Sequence, residues 1–284
     1  MNELSRAAIR LAFDRAAHTY DESAVLQRTV ADQLIDRFQW LRIEPQVILD
    51  VGTGTGYALP YLRKRFRKAH VIGCDIAPAM LKEARRHRGL WRSSTLLAAD
   101  GECLPIASHS VDCVYSNLSL QWMDLDRAFA EFLRILRPGG VLTFSTFGPD
   151  TLQELRTAWA EVDARPHVHS FVDMHNVGDA LIHAGFADPV LDVERFTLTY
   201  DTATEALRDL KQIGARNAFK DRFAGLTGKA HYQRFVKAYD RYRDHGRLPV
   251  TYEVVYGQAW YPATVPSSHG DASISLASLK RRSL

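Results

Sequence analysis

Asp50 stands just ahead of a turn with three alternate glycines, Gly52, Gly54 and Gly56, in the run ILDVGTGTGY. Glycines at that spacing remove side chains where a buried strand must turn into a helix, and they let a ligand lie against the backbone. A nicotinamide dinucleotide would need the spacing G-x-G-x-x-G, with the helix N-terminus facing a pyrophosphate. Here the third glycine comes one place early, and Tyr57 sits where that fingerprint has glycine. Asp50 would also repel a phosphate, so NAD is not expected to bind. A carboxylate suits a cationic ligand instead, and the ammonium and sulfonium of S-adenosylmethionine fit that description.

The elements that must hold this turn follow from hydrophobic patterning. QVILDV is a short, β-branched run of the kind found in a parallel strand covered on both faces. HVIGCDI, ending near Asp75, and STLLAAD, ending at Asp100, read as second and third strands, VDCVYSNLSL as a fourth and VLTFSTF as a fifth. Helices alternate with them: YALPYLRKRF with Pro60 in its first turn, PAMLKEARRHRGL, and DLDRAFAEFLRIL with Phe129, Phe132, Leu133 and Leu136 on one face. The glycines of RPGG are expected to cap that last helix in left-handed conformation. Ahead of the sheet, Leu26, Val30, Leu34 and Phe38 recur at helical spacing. Beyond Gly148, DTLQELRTAWAEV, DMHNVGDALIHAGF and TEALRDLKQIGARN read as helices. PVLDVERFTLTY and PVTYEVVYGQAWYP read as the last two strands, with Gly257 expected as a bulge. The expected fold is α/β, a doubly wound, mostly parallel seven-stranded Rossmann-like sheet with N-terminal helices and a helical insertion before the last strand. Ligand groups belong at the carboxyl ends of its strands.

Composition narrows the setting. The 284 residues are 46% hydrophobic and 24% charged, as in an ordinary globular protein. No apolar run is long enough to cross a membrane, and the first residues lack a hydrophobic signal core. A cytoplasmic location is therefore expected. Of three cysteines, Cys74 and Cys113 lie in apolar strand-like runs and read as reduced core residues. Between Thr202 and Val250 there are eleven Lys or Arg against five Asp or Glu, a local +6 in a chain of net +3. Such a region suits either an acidic partner or a solvated helix face. His167, His169 and His175 give a spacing that matches no familiar ligand set, so no metal is expected.

These segments resemble a class I S-adenosylmethionine-dependent methyltransferase from about Gln46 to Phe147. LDVGTGTGY is similar to the first motif of that family, AADGECLPI to the adenine segment, SNLSLQWMDL to the loop beside the transferred methyl, and LRPGG to the stretch before the fifth strand. The resemblance implies that Asp75 holds the ribose hydroxyls and that Asp100 accepts from the adenine amino group. The implied cofactor set is Asp50, Gly52, Thr53, Gly54, Gly56, Asp75, Ile76, Asp100, Gly101 and Asn117. AFDRAAHTYDESA, LRDLKQIGARN and YEVVYGQAWY extend the likeness to malonyl-acyl carrier protein O-methyltransferases of biotin synthesis.

The family resemblance implies methylation of the free carboxylate of malonyl-acyl carrier protein (or malonyl-CoA), with S-adenosylhomocysteine as the other product. A quinone or other small-molecule methyltransferase, or a cofactor-binding assembly factor, would share the same core. A carboxylate nucleophile is ionised at neutral pH, so no general base is required. Tyr20, Gln121 and Trp122 are the candidates to wall the methyl site. Arg208, Lys211, Arg216, Lys220, Arg222 and Lys229 are the candidates to meet the acidic substrate or its carrier; neither a nucleic acid nor a membrane partner is expected. The implied organisation is a helical lid over 1–45, a cofactor-binding core over 46–200, a basic carrier-docking insertion over 201–249, the last strand over 250–262 and a disordered tail over 263–284.

Overall fold

The computed structural model describes residues 5–86, 94–215 and 228–263. Three helices come first: α1 (Arg6–Ala16), α2 (Tyr20–Ser23) and α3 (Val25–Asp36). Alternating elements follow: β1 (Val47–Val51), α4 (Leu59–Arg65), β2 (His70–Asp75), α5 (Pro78–Arg86), β3 (Thr95–Ala98), β4 (Val111–Asn117), α6 (Leu125–Ile135) and β5 (Leu136–Phe147). The remainder is α7 (Gln153–Ala160), α8 (Met174–Ala184), β6 (Ala187–Tyr200), α9 (Ala203–Gln212), α10 (Lys229–Tyr239) and β7 (Leu248–Trp260). The strands form one seven-stranded sheet, as expected, in the order β3-β2-β1-β4-β5-β7-β6. Strands β1 to β5 run parallel, while β7 lies antiparallel between β5 and β6. The order reverses at β1, and the carboxyl ends of β1, β2 and β4 meet there.

Alternate residues of the central strands feed two cores. Ile48, Cys113 and Val141 face a layer with Leu26, Val30 and Leu34 of α3 and Leu62 of α4. Leu49, Val114 and Leu142 face the other layer, with Phe129 and Phe132 of α6 and Val177 and Leu181 of α8. Burying the central strands on both sides explains why their runs are almost continuously apolar. The described parts of 201–249 enter the first of these cores. Ala206 and Leu210 of α9, and Phe235 and Tyr239 of α10, are buried there beside Trp159. Cys74 and Cys113 are buried free thiols, and Cys103 is an exposed one. Among the described residues no helix is long and apolar enough to cross a membrane. The expected disordered tail lies, from residue 264 on, outside the described residues.

Two expectations about glycines need correction. Helix α6 ends at Ile135 with Leu136 extended, so RPGG is not its cap. Gly139, at φ +80°, instead lies in an irregularity of β5, where the register against β4 shifts between Val111 and Cys113. Gly257 is no bulge either, because its pairing with Phe144 and Leu191 is regular. Its role is clearance: a Cβ there would stand 2.1 Å from Cζ of Phe144, a ring that is fully buried. Gly257→Ala should therefore lower stability by about 1–3 kcal/mol through overpacking, read from urea unfolding. An unchanged midpoint would mean that the Phe144 ring moves aside freely.

Candidate functional site

A cleft opens at the carboxyl ends of β1, β2 and β4. Its floor is the turn after β1, where Gly52 and Gly54 both have positive φ. At Gly52 the lack of a side chain is obligatory, since a Cβ there would lie 2.3 Å from Cβ of Ser119. Ser119 is held against the turn because its hydroxyl and that of Ser116 both bond Val51 O, at 3.1 and 3.0 Å. The chain leaving β4 thus folds across the glycine turn and carries Asn117, Leu118, Ser119 and Trp122 into the cleft wall. Asp75, Ile76, Asp100 and Gly101 line the opposite side. Nothing in the sequence pattern pointed to Ser119; its spacing from Ser116 was the available signal.

The aspartates play different parts. Asp75 accepts from Gly54 N at 2.9 Å and from Ala77 N at 2.8 Å, so its carboxylate pins the turn while facing the cleft. Burial pushes its pKa up to about 6, and the backbone donors at Ala77 and Gly54 oppose that rise. Asp100 also faces the cleft, where its Oδ2 lies 3.4 Å from Nε of Arg6. Asp50 does not line the cleft, nor do Thr53 and Gly56. Asp50 is only 2% exposed and accepts from the Thr53 hydroxyl at 2.7 Å. Burial pushes its pKa up to about 7, the Thr53 hydrogen bond lowers it, and the nearby Asp75 raises it further. Gly56 lies against α5, where a Cβ would stand 3.0 Å from Cβ of Ala84. Asp50, Thr53 and Gly56, expected among the ligand contacts, therefore build the turn from behind.

Helices α1 and α2 roof the cleft. Arg6, Ile9, Phe13 and Tyr20 face into it, and Tyr20 is the member that the sequence singled out. Arg6, Ile9 and Phe13 were missed, although their spacing along α1 marks one helix face. The roof is tied down widely. Arg6 pairs with Glu102 and donates to Trp122 O at 2.7 Å. Asp14 accepts from Ala79 N, and Asp21 accepts from the Thr55 hydroxyl. Thr19 and Ser23 both donate to Gln212 at the end of α9. Burial, with Asp75 and Asp21 nearby, raises the Tyr20 pKa well above its ordinary value, so Tyr20 remains a neutral hydroxyl.

Trp122 borders two spaces. One face belongs to the cleft, and another lines a second cavity of about 310 Å³ walled by α7, the segment 167–171, α9 and Tyr252 of β7. Its ring meets Phe13 edge-on at 5.5 Å and stacks on His169 at 5.8 Å. Gln121 does not line the cleft; its side chain donates to Leu118 O and its backbone carbonyl partners His169 Nε2 at 3.1 Å. Lys211 lines the second cavity, whereas Arg208 is exposed and does not, so the two do not converge on one anion there. Lys229 is exposed at the start of α10. Arg216, Lys220 and Arg222 lie outside the described residues. The three histidines do not converge: His167 pairs with Asp163 and stacks on Trp159, His169 bonds Gln121 O, and His175 is exposed beside Asp173. Burial lowers the His169 pKa and favours its neutral ring.

The buried Asp50 makes a testable contribution to stability. Its pKa of about 7 lies above that of an unfolded carboxyl, so the stability it contributes is present at low pH and is lost as pH rises through about 7. Asp50→Asn keeps an acceptor for Thr53 but removes the charge. Between pH 5 and pH 8 the variant should gain stability relative to the unmodified protein in urea titrations. A difference that stays constant across that window would contradict the assignment.

The comparisons agree with this geometry. A family described as "Methyltransferase domain" matches residues 49–144. Among solved structures, the YcgJ protein of Bacillus subtilis superposes with a TM-score of 0.58 at 13% identity, covering 82% of this chain and 98% of that one. Phosphoethanolamine N-methyltransferase 2 of Haemonchus contortus, solved with S-adenosyl-L-methionine, gives 0.54 at 19% identity, covering 88% of this chain and 57% of that one. Sequence relatives are nearer. The malonyl-[acyl-carrier protein] O-methyltransferase of Laribacter hongkongensis is 52% identical over 92% of this chain and 91% of its own. That of Methylovorus sp. is 47% identical over 91% and 90%. The chain belongs to the malonyl-[acyl-carrier protein] O-methyltransferase family.

Proposed function

We propose that this enzyme transfers the methyl group of S-adenosylmethionine to the free carboxylate of a malonyl thioester carried on acyl carrier protein, giving the methyl ester that primes biotin synthesis. The observation that carries the reading is the cleft itself. It places two carboxylates, Asp75 and Asp100, beside a glycine turn whose ligand-facing surface has no side chains. That set of acceptors fits a cationic nucleoside cofactor: Asp75 would accept from ribose hydroxyls and Asp100 from an amino group, and Ile76 and Met80 would offer apolar surface to a flat base. S-adenosylmethionine supplies, when bound, a methyl group already activated by the sulfonium.

What remains for the protein is position and exclusion of water. Tyr20 and Trp122 line the cleft and Asn117 stands at the end of β4, so these three wall the space a methyl group would occupy. Asn117 is fixed by Gln27 O and by the Ser145 hydroxyl. A carboxylate acceptor arrives ionised, so a neutral Tyr20 and a neutral His169 are no handicap. The reading places the reaction in the cytoplasm. It assigns the exposed Lys229, Arg234 and Lys237 of α10 to the approach of an acidic carrier, where such charges raise the association rate.

Incubation with S-adenosylmethionine and malonyl-acyl carrier protein should add one methyl group to the acyl arm, seen by mass spectrometry. No transfer to any malonyl thioester at saturating cofactor would refute the reading. The role of Asp75 has its own signature. Hydrogen bonds to its charged form should make S-adenosylhomocysteine affinity weaken as pH falls through about 6. Asp75→Asn should bind about 10- to 100-fold more weakly at pH 8 and lose that inflection. Unchanged calorimetric affinity in the folded variant would remove Asp75 from the site.

A further inference from the structure

We propose that the second cavity, on the far side of Trp122, receives the acyl arm of the acceptor, and that Lys211 at its rim meets the phosphate by which such an arm is attached. This rests on the reading of the chain as a methyltransferase acting on malonyl thioesters. The cavity and the cofactor cleft share one wall, Trp122, so an acceptor lying in the cavity ends where the cleft begins. The cavity is closed by elements far apart in sequence: Leu155 and Trp159 of α7, Phe171, Leu210 of α9 and Tyr252 of β7.

Its lining is largely apolar, and several of its polar groups are already engaged. His167 is paired with Asp163 at 2.8 Å and lies flat on Trp159 at 4.1 Å. His169 bonds Gln121 O at 3.1 Å. The Thr151 hydroxyl bonds Glu253 O at 3.0 Å. Lys211 is the lysine among the lining residues, and it is exposed, which places its charge at the rim and not in the depth. The cavity therefore runs from the cofactor cleft through an apolar middle to a cation at its mouth. A malonyl thioester on a phosphate-bearing arm has the matching order: a carboxylate at the tip, an uncharged thioester and methylenes, then a phosphate. A neutral quinone-like ring would fill the middle and leave Lys211 without a counterpart.

Two variants test this on the full chain, with malonyl-CoA as the phosphate-bearing substrate and malonyl N-acetylcysteamine as one without phosphate. Ala215, a half-exposed lining residue at the margin of the first core, offers a position for a bulky side chain. Ala215→Trp should raise the KM of both thioesters about ten-fold or more, while calorimetric affinity for S-adenosylhomocysteine stays within about two-fold. Val168→Trp, at a second half-exposed lining position, serves if the first variant fails to fold. Lys211→Glu should raise the KM of malonyl-CoA about ten-fold more than that of the short thioester, and that difference should shrink with added salt. Unmodified enzyme that turns over malonyl thioesters, together with filled-cavity variants of unchanged KM, would overturn the cavity and leave the reaction standing. Equal effects of Lys211→Glu on both thioesters would overturn the phosphate contact. If the unmodified enzyme methylates no malonyl thioester, the underlying reading falls and the assignment of the cavity falls with it.

Discussion

The site depends on one close approach, between Gly52 after β1 and Ser119 after β4. A side chain at Gly52 would overlap Ser119, whose hydroxyl joins that of Ser116 on the carbonyl of Val51. This small hydroxyl knot ties together the two strand ends at the point where the sheet order reverses. Because the chain after β4 is drawn over the glycine turn, Asn117 and Trp122 face the cleft instead of solvent. Trp122 then separates the cleft from the apolar cavity beyond it, so a backbone contact decides how cofactor and acceptor are juxtaposed.

Electrostatics divides the three aspartates into structure and recognition. Asp50 is buried behind the turn with Thr53, and its raised pKa is the consequence of that burial. Asp75 spends two acceptor positions on Gly54 and Ala77, yet still borders the cleft. Burial is the main cause of both elevated pKa values, and a positively charged ligand beside such carboxylates would favour their ionised forms. Arg6, the cation at the cleft, sits at its far side between Asp100 and Glu102 and belongs to the roof. The roof in turn reaches Gln212 at the end of α9, so the helices covering the cofactor also brace a wall of the second cavity.

Local pattern carried most of the fold. Strands buried on both faces announce themselves as unbroken apolar runs, and Asp75 and Asp100 stand at or just past strand ends where a parallel sheet presents ligand groups. The recurrence of Leu26, Val30, Leu34 and Phe38 gave the helix that covers the first core. What could not be read is whatever depends on contacts distant in sequence. Gly56 and Gly257 look like loop and bulge residues until Ala84 and Phe144 are seen against them. Asp50 looked like a ligand group because its neighbour Thr53 and the depth of β1 are invisible in one dimension. The second cavity needs α7, segment 167–171, α9 and β7 together, and no single stretch shows it.

The Gly52–Ser119 approach is tested most directly by the calorimetric affinity of Gly52→Ala for S-adenosylhomocysteine, taken with its thermal unfolding. If the Gly52–Ser119 approach sets the cleft, the variant should stay folded but bind the cofactor product at least about 100-fold more weakly, because both the overlap and the positive φ oppose a side chain there. Affinity equal to that of the unmodified protein would show that the two strand ends tolerate separation and that the cleft is organised by something else.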